Sequence, residues 1–261
     1  MTDRCAVTTP IAGWCRSPEH GSSAGAELPN HPVQLEQWSS RGPTYLETVD
    51  IRARAILFDN DGVLVDSHEA GAAAWEQLCG EFGLDFSVVS AVFVGRRAED
   101  TLAEFVEPAR LLDAIERLED LEVERASDTP LIPGARGFLD QLGTCPWAVV
   151  TSASRRLADA RWKAAGIVAP ATVTADEVAT GKPSPEPYLV GAEILGVEPG
   201  DCLVFEDSVA GFHAGVSAGA RVIAVGDLAW PGEPLARISS FDELVNVRAT
   251  GDGISFSVQP S

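Results

Sequence analysis

The 261-residue chain is 45% hydrophobic and 22% charged, a globular composition on a length that can bury a substantial core. Its 39 acidic residues against 19 basic ones leave a formal net charge of −20 at pH 7. That balance excludes a broad nucleic-acid-binding or anionic-membrane-binding surface, since both need a basic footprint. An acidic protein that handles a small anion must build a local positive pocket against its own field.

In chain order, residues 1–50 are rich in Pro, Gly and Ser and lack periodicity, and are expected to form a poorly ordered N-terminal extension. Thr8-Thr9-Pro10 breaks the weak apolar stretch at the start, which makes a poor signal peptide, and no apolar run reaches the roughly 18 residues of a membrane span. Cys5, Cys15, Cys79, Cys145 and Cys202 are odd in number and contain no CxxC pair. They read as buried small hydrophobes in a reducing compartment, not as a disulfide framework or zinc site. A cytoplasmic location without a membrane partner is expected.

The folded part is expected to begin near Ile51. Residues 54–59 form a short apolar run ending in acid, as a buried strand does. Residues 68–125 then read as helices, with apolar positions at three-to-four spacing over 108–121. After 131–135 strands and helices alternate: strand-like runs at 147–151, 171–174, 202–206 and 221–225, and helices near 134–142, 154–165, 185–195 and 208–218. This order predicts an α/β fold with a doubly wound, Rossmann-like parallel sheet. The expected core spans 51–67 and 132–250, the helical block 68–131 is inserted over the sheet's carboxyl edge, and 251–261 is a C-terminal tail.

Polar residues fall where those strands end. The first run ends in Asp59-Asn60-Asp61-Gly62, the second in Thr151-Ser152, and a later one in Glu206-Asp207-Ser208, while Lys182 lies in a loop after the third run. In this architecture all four segments open onto one crevice. Taken singly, Asp-x-Asp-Gly is commonly a turn, Thr-Ser or Glu-Asp-Ser a helix cap, and Gly-Lys-Pro a surface loop. Taken jointly and in this order, they form a site. Clustered carboxylates repel and tend to hold their protons unless a cation is present, and hard oxygen donors favour magnesium. Lys182, Thr151 and backbone N–H groups can hold the oxygens of a phosphate, so phosphoryl transfer through an aspartyl-phosphate is feasible. Gly62 permits the close turn.

The segments 58–67 (FDNDGVLVDS), 151–154 (TSAS), 181–188 (GKPSPEPY) and 205–215 (FEDSVAGFHAG) resemble the four motifs of the haloacid dehalogenase-like hydrolases, and the resemblance covers about 51–247. The helical insertion is similar to the small α-helical cap of one of its subfamilies, and the segments around 146–154 and 181–188 most resemble its sugar-phosphate and polyol-phosphate phosphatases. The resemblance implies that Asp59 is the nucleophile and Asp61 the general acid, then the base. It implies magnesium bound by Asp59, the main-chain carbonyl of Asp61 and Asp207, with Glu206 close by, and phosphate held by Thr151, Ser152 and Lys182. The residue between the two acids varies in the family, so Asn60 raises no objection. The stretch Gly95-Arg96-Arg97-Ala98-Glu99-Asp100 fits a Gly-x-Arg-x-x-Asp pattern of these phosphatases, which makes Arg97 a candidate for orienting the leaving group. A small phosphorylated metabolite is the expected partner, and a monomer or small homo-oligomer the expected state.

Asp61 and Asp207 together argue against a dehalogenase. A β-phosphoglucomutase-like activity remains the alternative, although Gly71 stands where that relative has a cap histidine and Ala98 where it has a cap arginine. A receiver-type signalling domain would carry its phospho-acceptor after the third strand and have no helical insertion. His68 and His213 lie near the motifs without metal-ligand spacing, His213 reads as packing or surface, Trp75, Trp147 and Trp162 fit core faces, and the Glu-rich stretch 116–124 reads as a solvated face of the helical insertion.

Overall fold

The computed structural model describes residues 49–259. The extension expected over 1–50, with Cys5 and Cys15, therefore lies outside the described residues except for Val49 and Asp50. These two open β1 (Val49–Ala53), which is followed by β2 (Ala55–Phe58). All four residues of β2 are buried, and their side chains alternate between two cores. Ile56 and Phe58 pack with Val149, Phe205 and Ile223 on one face, and Ala55 and Leu57 with Val150, Val204 and Tyr188 on the other. A strand covered on both faces reads as a continuous apolar run, which is why it was visible in the sequence.

The chain then enters a helical segment: α1 (His68–Phe82), α2 (Phe86–Val89), α3 (Ala98–Leu102) and α4 (Leu111–Glu124). This segment has a core of its own, in which Leu78, Leu118 and Leu121 are fully buried and Trp75 stacks on Phe93 with ring centroids 4.9 Å apart. Next come α5 (Ala135–Gln141), β3 (Trp147–Val150), α6 (Arg155–Ala165), β4 (Thr172–Val173), α7 (Glu186–Leu195), β5 (Cys202–Glu206), α8 (Val209–Ser217), β6 (Arg221–Val225) and β7 (Ala236–Ile238). The six-stranded sheet is parallel throughout, in the order β4-β3-β2-β5-β6-β7. It is the doubly wound α/β architecture expected. Chain direction across the sheet reverses at β2, so a crevice opens at its carboxyl end, between those of β3 and β5.

One part departs from expectation. Strands β8 (Leu244–Thr250) and β9 (Gly253–Val258) form a second, antiparallel sheet with β1, in the order β1-β9-β8. The stretch expected as a tail from 251 onward therefore contains a strand paired on both edges. Its cause is local: two turn residues, Gly251 and Asp252, join runs whose alternation sends Ile254, Phe256 and Val258 into the core beside Phe138 and Phe241. Cys79, Cys145 and Cys202 are free and buried. Among the described residues, no helix is long and apolar enough to cross a membrane.

Candidate active site

The turn after β2 is built around Asn60, whose main-chain oxygen accepts from the N–H groups of Leu64 (2.9 Å) and Val65 (3.0 Å). Its side-chain oxygen accepts from the Trp162 indole at 2.9 Å. With Asn60 pinned, Asp59 and Asp61 project from a fixed backbone. Gly62 closes the turn at φ +79°, where a side chain would overlap the Asp207 carboxylate and the His68 ring.

Lys182 is the electrostatic centre of the crevice. Its ammonium group, fully buried, donates to Asp59 Oδ1 at 2.5 Å, Glu206 Oε1 at 2.7 Å and the Val150 carbonyl at 3.1 Å. Burial works to lower its pKa, but Asp59 and Glu206 outweigh it and hold Lys182 above the ordinary lysine range. Glu206 is filled by protein donors. Oε1 also accepts from the Tyr188 hydroxyl at 2.6 Å, and Oε2 from Asp207 N (3.0 Å), Ser208 N (3.1 Å) and Ser208 Oγ (3.0 Å). A side chain at Gly211, in the first turn of α8, would overlap that carboxylate. Among the described residues, Asp59 Oδ2 has no hydrogen-bond partner.

Asp59, Glu206 and Asp207 offer carboxylate oxygens that all lie within 4.8 Å of one another. Burial, more than any single neighbour, raises the pKa of Asp59 well above the carboxylate range, with Glu206, Asp207 and Asp61 adding to the shift against Lys182. Asp207 is pushed up to about 6, again mainly by burial, although His68 opposes the shift. His68 Nε2 lies 2.9 Å from Asp207 Oδ2. Such a cluster is under-neutralised, and its all-oxygen donor set suits a hard divalent cation.

Asp61 has a different neighbourhood. Its Oδ1 accepts from Ser67 Oγ at 2.6 Å and pairs with Arg161 at 2.8 Å, whereas Oδ2 meets only the Thr151 hydroxyl, at 3.4 Å. Ser67 precedes α1 without capping it, its hydroxyl being turned to Asp61 instead. Arg161 is 5% exposed and also reaches Glu122 of α4 at 3.3 Å. Burial, against the pull of Arg161, pushes the Glu122 carboxyl up to about 7.

Thus Asp59, Asp61, Thr151, Lys182, Glu206 and Asp207 meet in one crevice. Ser152 lies beside them with its hydroxyl donating to the Gly95 carbonyl at 2.9 Å, so it ties β3 to the helical segment, and Ser154 is the residue that caps α6. Arg97 lines the cavity, but its guanidinium is occupied. Nε and a terminal nitrogen bind Asp100 at 2.7 and 2.9 Å, and the other terminal nitrogen binds Glu99 at 2.8 Å and the Val178 carbonyl at 3.3 Å. The cavity, about 320 Å³, is shared by the sheet's carboxyl edge and the helical segment.

Sequence reasoning passed over Arg161, Tyr188 and the contact of His68, and it read Glu122, within 116–124, as part of a solvated face, whereas the structure buries it against Arg161. A signal for Arg161 was present: it sits on the buried stripe of α6 with Leu157, Ala158 and Trp162, where a charge needs a partner.

A family model described as haloacid dehalogenase-like hydrolase matches residues 53–219. Hexitol phosphatase A of Escherichia coli is 41% identical over 181 residues, 67% of this chain and 84% of that protein. Glycerol-1-phosphate phosphohydrolase 2 of Saccharomyces cerevisiae is 33% identical over 194 residues, 68% of this chain and 76% of that one. Among solved structures, CbbY of Rhodobacter sphaeroides in complex with xylulose-(1,5)bisphosphate superposes with a TM-score of 0.66 at 24% identity, covering 74% of this chain and 96% of that chain.

Proposed function

We propose that this chain, which belongs to the haloacid dehalogenase-like hydrolases and is a phosphatase of that type, hydrolyses small sugar or polyol phosphates through an aspartyl-phosphate. The carrying observation is the division of labour on Asp59, with Oδ1 engaged by Lys182 at 2.5 Å and Oδ2 unengaged. An oxygen held in place beside one that is free is the arrangement a carboxylate nucleophile needs.

In the first step Asp59 Oδ2 attacks phosphorus and the bond to the ester oxygen breaks. The departing alkoxide takes a proton from Asp61, whose Oδ2 has only the long Thr151 contact and is free to carry it. Lys182 supplies positive charge beside the phosphoryl oxygens, with the Thr151 hydroxyl and the main-chain N–H of Ser152 at the same edge, the Ser152 hydroxyl being held by Gly95. In the second step water attacks phosphorus, Asp61 takes its proton, and the bond to Asp59 breaks to release phosphate. Arg161 holds Asp61 in place throughout. Magnesium fits the donor set formed by Asp59, Asp207 and the main-chain carbonyl of Asp61, and when bound it supplies positive charge that relieves carboxylate crowding and polarises the phosphate. Glu206, saturated by five protein donors, orients Lys182 and the Asp207 backbone. Helices α1–α4 act as a cap that excludes bulk water.

The test is phosphate release from a panel of sugar, polyol and other phosphomonoesters with magnesium and then with a chelator. Magnesium-dependent release concentrated on sugar or polyol esters is expected. Interconversion of hexose 1- and 6-phosphates without net release would replace hydrolysis by phosphomutase action.

A further inference from the structure

Asp207 lies just beyond β5 and belongs to the carboxylate cluster that suits a divalent cation, with its side chain 7% exposed. Its neighbour Glu206 is held on both oxygens by protein donors. The Asp207 carboxylate has one such partner among the described residues, His68, whose Nε2 lies 2.9 Å from Oδ2. An ionised carboxylate oxygen can only accept, so the imidazole nitrogen carries the hydrogen and donates it. The other oxygen, Oδ1, has no hydrogen-bond partner among the described residues. His68 does not come from the sheet: it is the first residue of α1 and lines the catalytic cavity with Asp207. The contact depends on Gly62, where a Cβ would overlap both the Asp207 carboxylate and the His68 ring. Imidazole, glycine and carboxylate thus pack as one unit, the ring half exposed and Asp207 buried.

We propose that His68 is a positioning residue for the divalent cation: by holding Oδ2 it fixes the Asp207 carboxylate and leaves Oδ1 for the ion. The inference rests on the magnesium assignment within the phosphatase reading and adds to it a residue outside the donor set. A donor that orders a ligating carboxylate contributes to metal affinity without touching the ion, because the ligand need not be ordered when the ion binds. With a single donor on Asp207, that contribution falls on one side chain. Since His68 opens α1, the cation is held partly through the helical segment and not through the sheet's edge alone.

The experiment is calorimetric titration of the full chain with magnesium chloride in the absence of substrate. His68→Ala, at a half-exposed position, should bind magnesium about tenfold to a hundredfold more weakly than wild type. His68→Gln, whose amide nitrogen can donate in place of Nε2, should stay within about threefold of wild type. In p-nitrophenyl phosphate hydrolysis, the magnesium concentration for half-activation should rise in His68→Ala by the factor that calorimetry gives. Wild-type affinity in His68→Ala, a higher affinity there, or equal losses in the Ala and Gln variants would overturn the positioning role and leave the phosphatase reading standing. A wild type that releases phosphate but binds no magnesium would overturn the positioning role together with the magnesium assignment. A wild type that binds magnesium in the expected order of variants, yet releases phosphate from no ester, would uphold the positioning role and overturn the phosphatase reading.

Discussion

Replacing Glu122 by Gln should stabilise the protein at alkaline pH and change little in acid. The Glu122 side chain is 12% exposed, and burial raises its pKa from 4.5 to about 7, against the pull of Arg161 at 3.3 Å and with a further push from Asp61. A shift of about 2.5 units is worth roughly 3 kcal/mol at about 1.4 kcal/mol per unit. Because the folded-state pKa lies above the unfolded one, the folded protein keeps a proton that the unfolded chain gives up. Stability from this group is therefore complete below pH 4.5 and is lost as the pH rises through about 7. Gln mimics the protonated carboxyl, keeping a carbonyl oxygen for Arg161 without a charge to bury. Urea denaturation of both proteins at pH 5 and pH 8 isolates the group, since the titrations of Asp59 and Asp207 cancel in the double difference. The variant should gain about 2–3 kcal/mol over wild type between the two pH values. An equal stability difference at both pH values would refute the reasoning. A variant that loses ground at pH 8 would show that the ionised pair with Arg161 outweighs the cost of burying it.

Lys182→Met leaves Asp59 and Glu206 buried without their cation; a loss of about 3–5 kcal/mol in urea denaturation, together with loss of phosphate release, is expected, and a change below about 1 kcal/mol would contradict the electrostatic role. Gly62→Ala forces a side chain into the Asp207 carboxylate at a left-handed backbone position, so calorimetric titration should show magnesium affinity reduced by about tenfold. Wild-type affinity there would mean that Asp207 does not need its present position. Asp59→Asn should lower phosphate release at least about a thousandfold while keeping a cooperative unfolding transition, and ordinary turnover would end the nucleophile assignment.

The legible part of the fold was the part buried on both faces. Strands such as β2 and β5 are uninterrupted apolar runs, and the acids that follow them mark where the sheet stops and solvent begins. Strand β8 carries Asn246 and Arg248 in an alternation of half-buried and exposed positions, and β7 is only three residues long, so neither stands out from a loop. At the site, residues joined to a strand end could be placed by topology alone. Arg161 and Glu122 could not, because their meeting depends on how α4 lies over α6, and helix packing is not written in either helix's spacing. Arg97 shows the converse. Asp100 three residues on was in view, and on a helix that spacing makes a partner, so the guanidinium is turned to its own helix and to the Val178 carbonyl. Its packing on Gly181, where a side chain would press on the Arg97 stem, explains the glycine beside Lys182.

The two aspartates of the β2 turn are each joined to a cation that is itself shared with a second carboxylate, but the anchors belong to different parts of the molecule. Asp59 is tied through Lys182 to Glu206, at the end of β5, so its surroundings belong wholly to the sheet's edge. Asp61 is tied through Arg161 to Glu122 on α4, and through Ser67 to the start of α1. Any movement of the helical segment therefore changes the charge felt by Asp61 and leaves that of Asp59 nearly untouched, since Coulomb terms fall with distance and Lys182 stays in contact. The same geometry separates the two roles proposed for these residues. A nucleophile benefits from a constant environment, whereas a group that gives up a proton in one step and takes one in the next benefits from surroundings that can change between the steps.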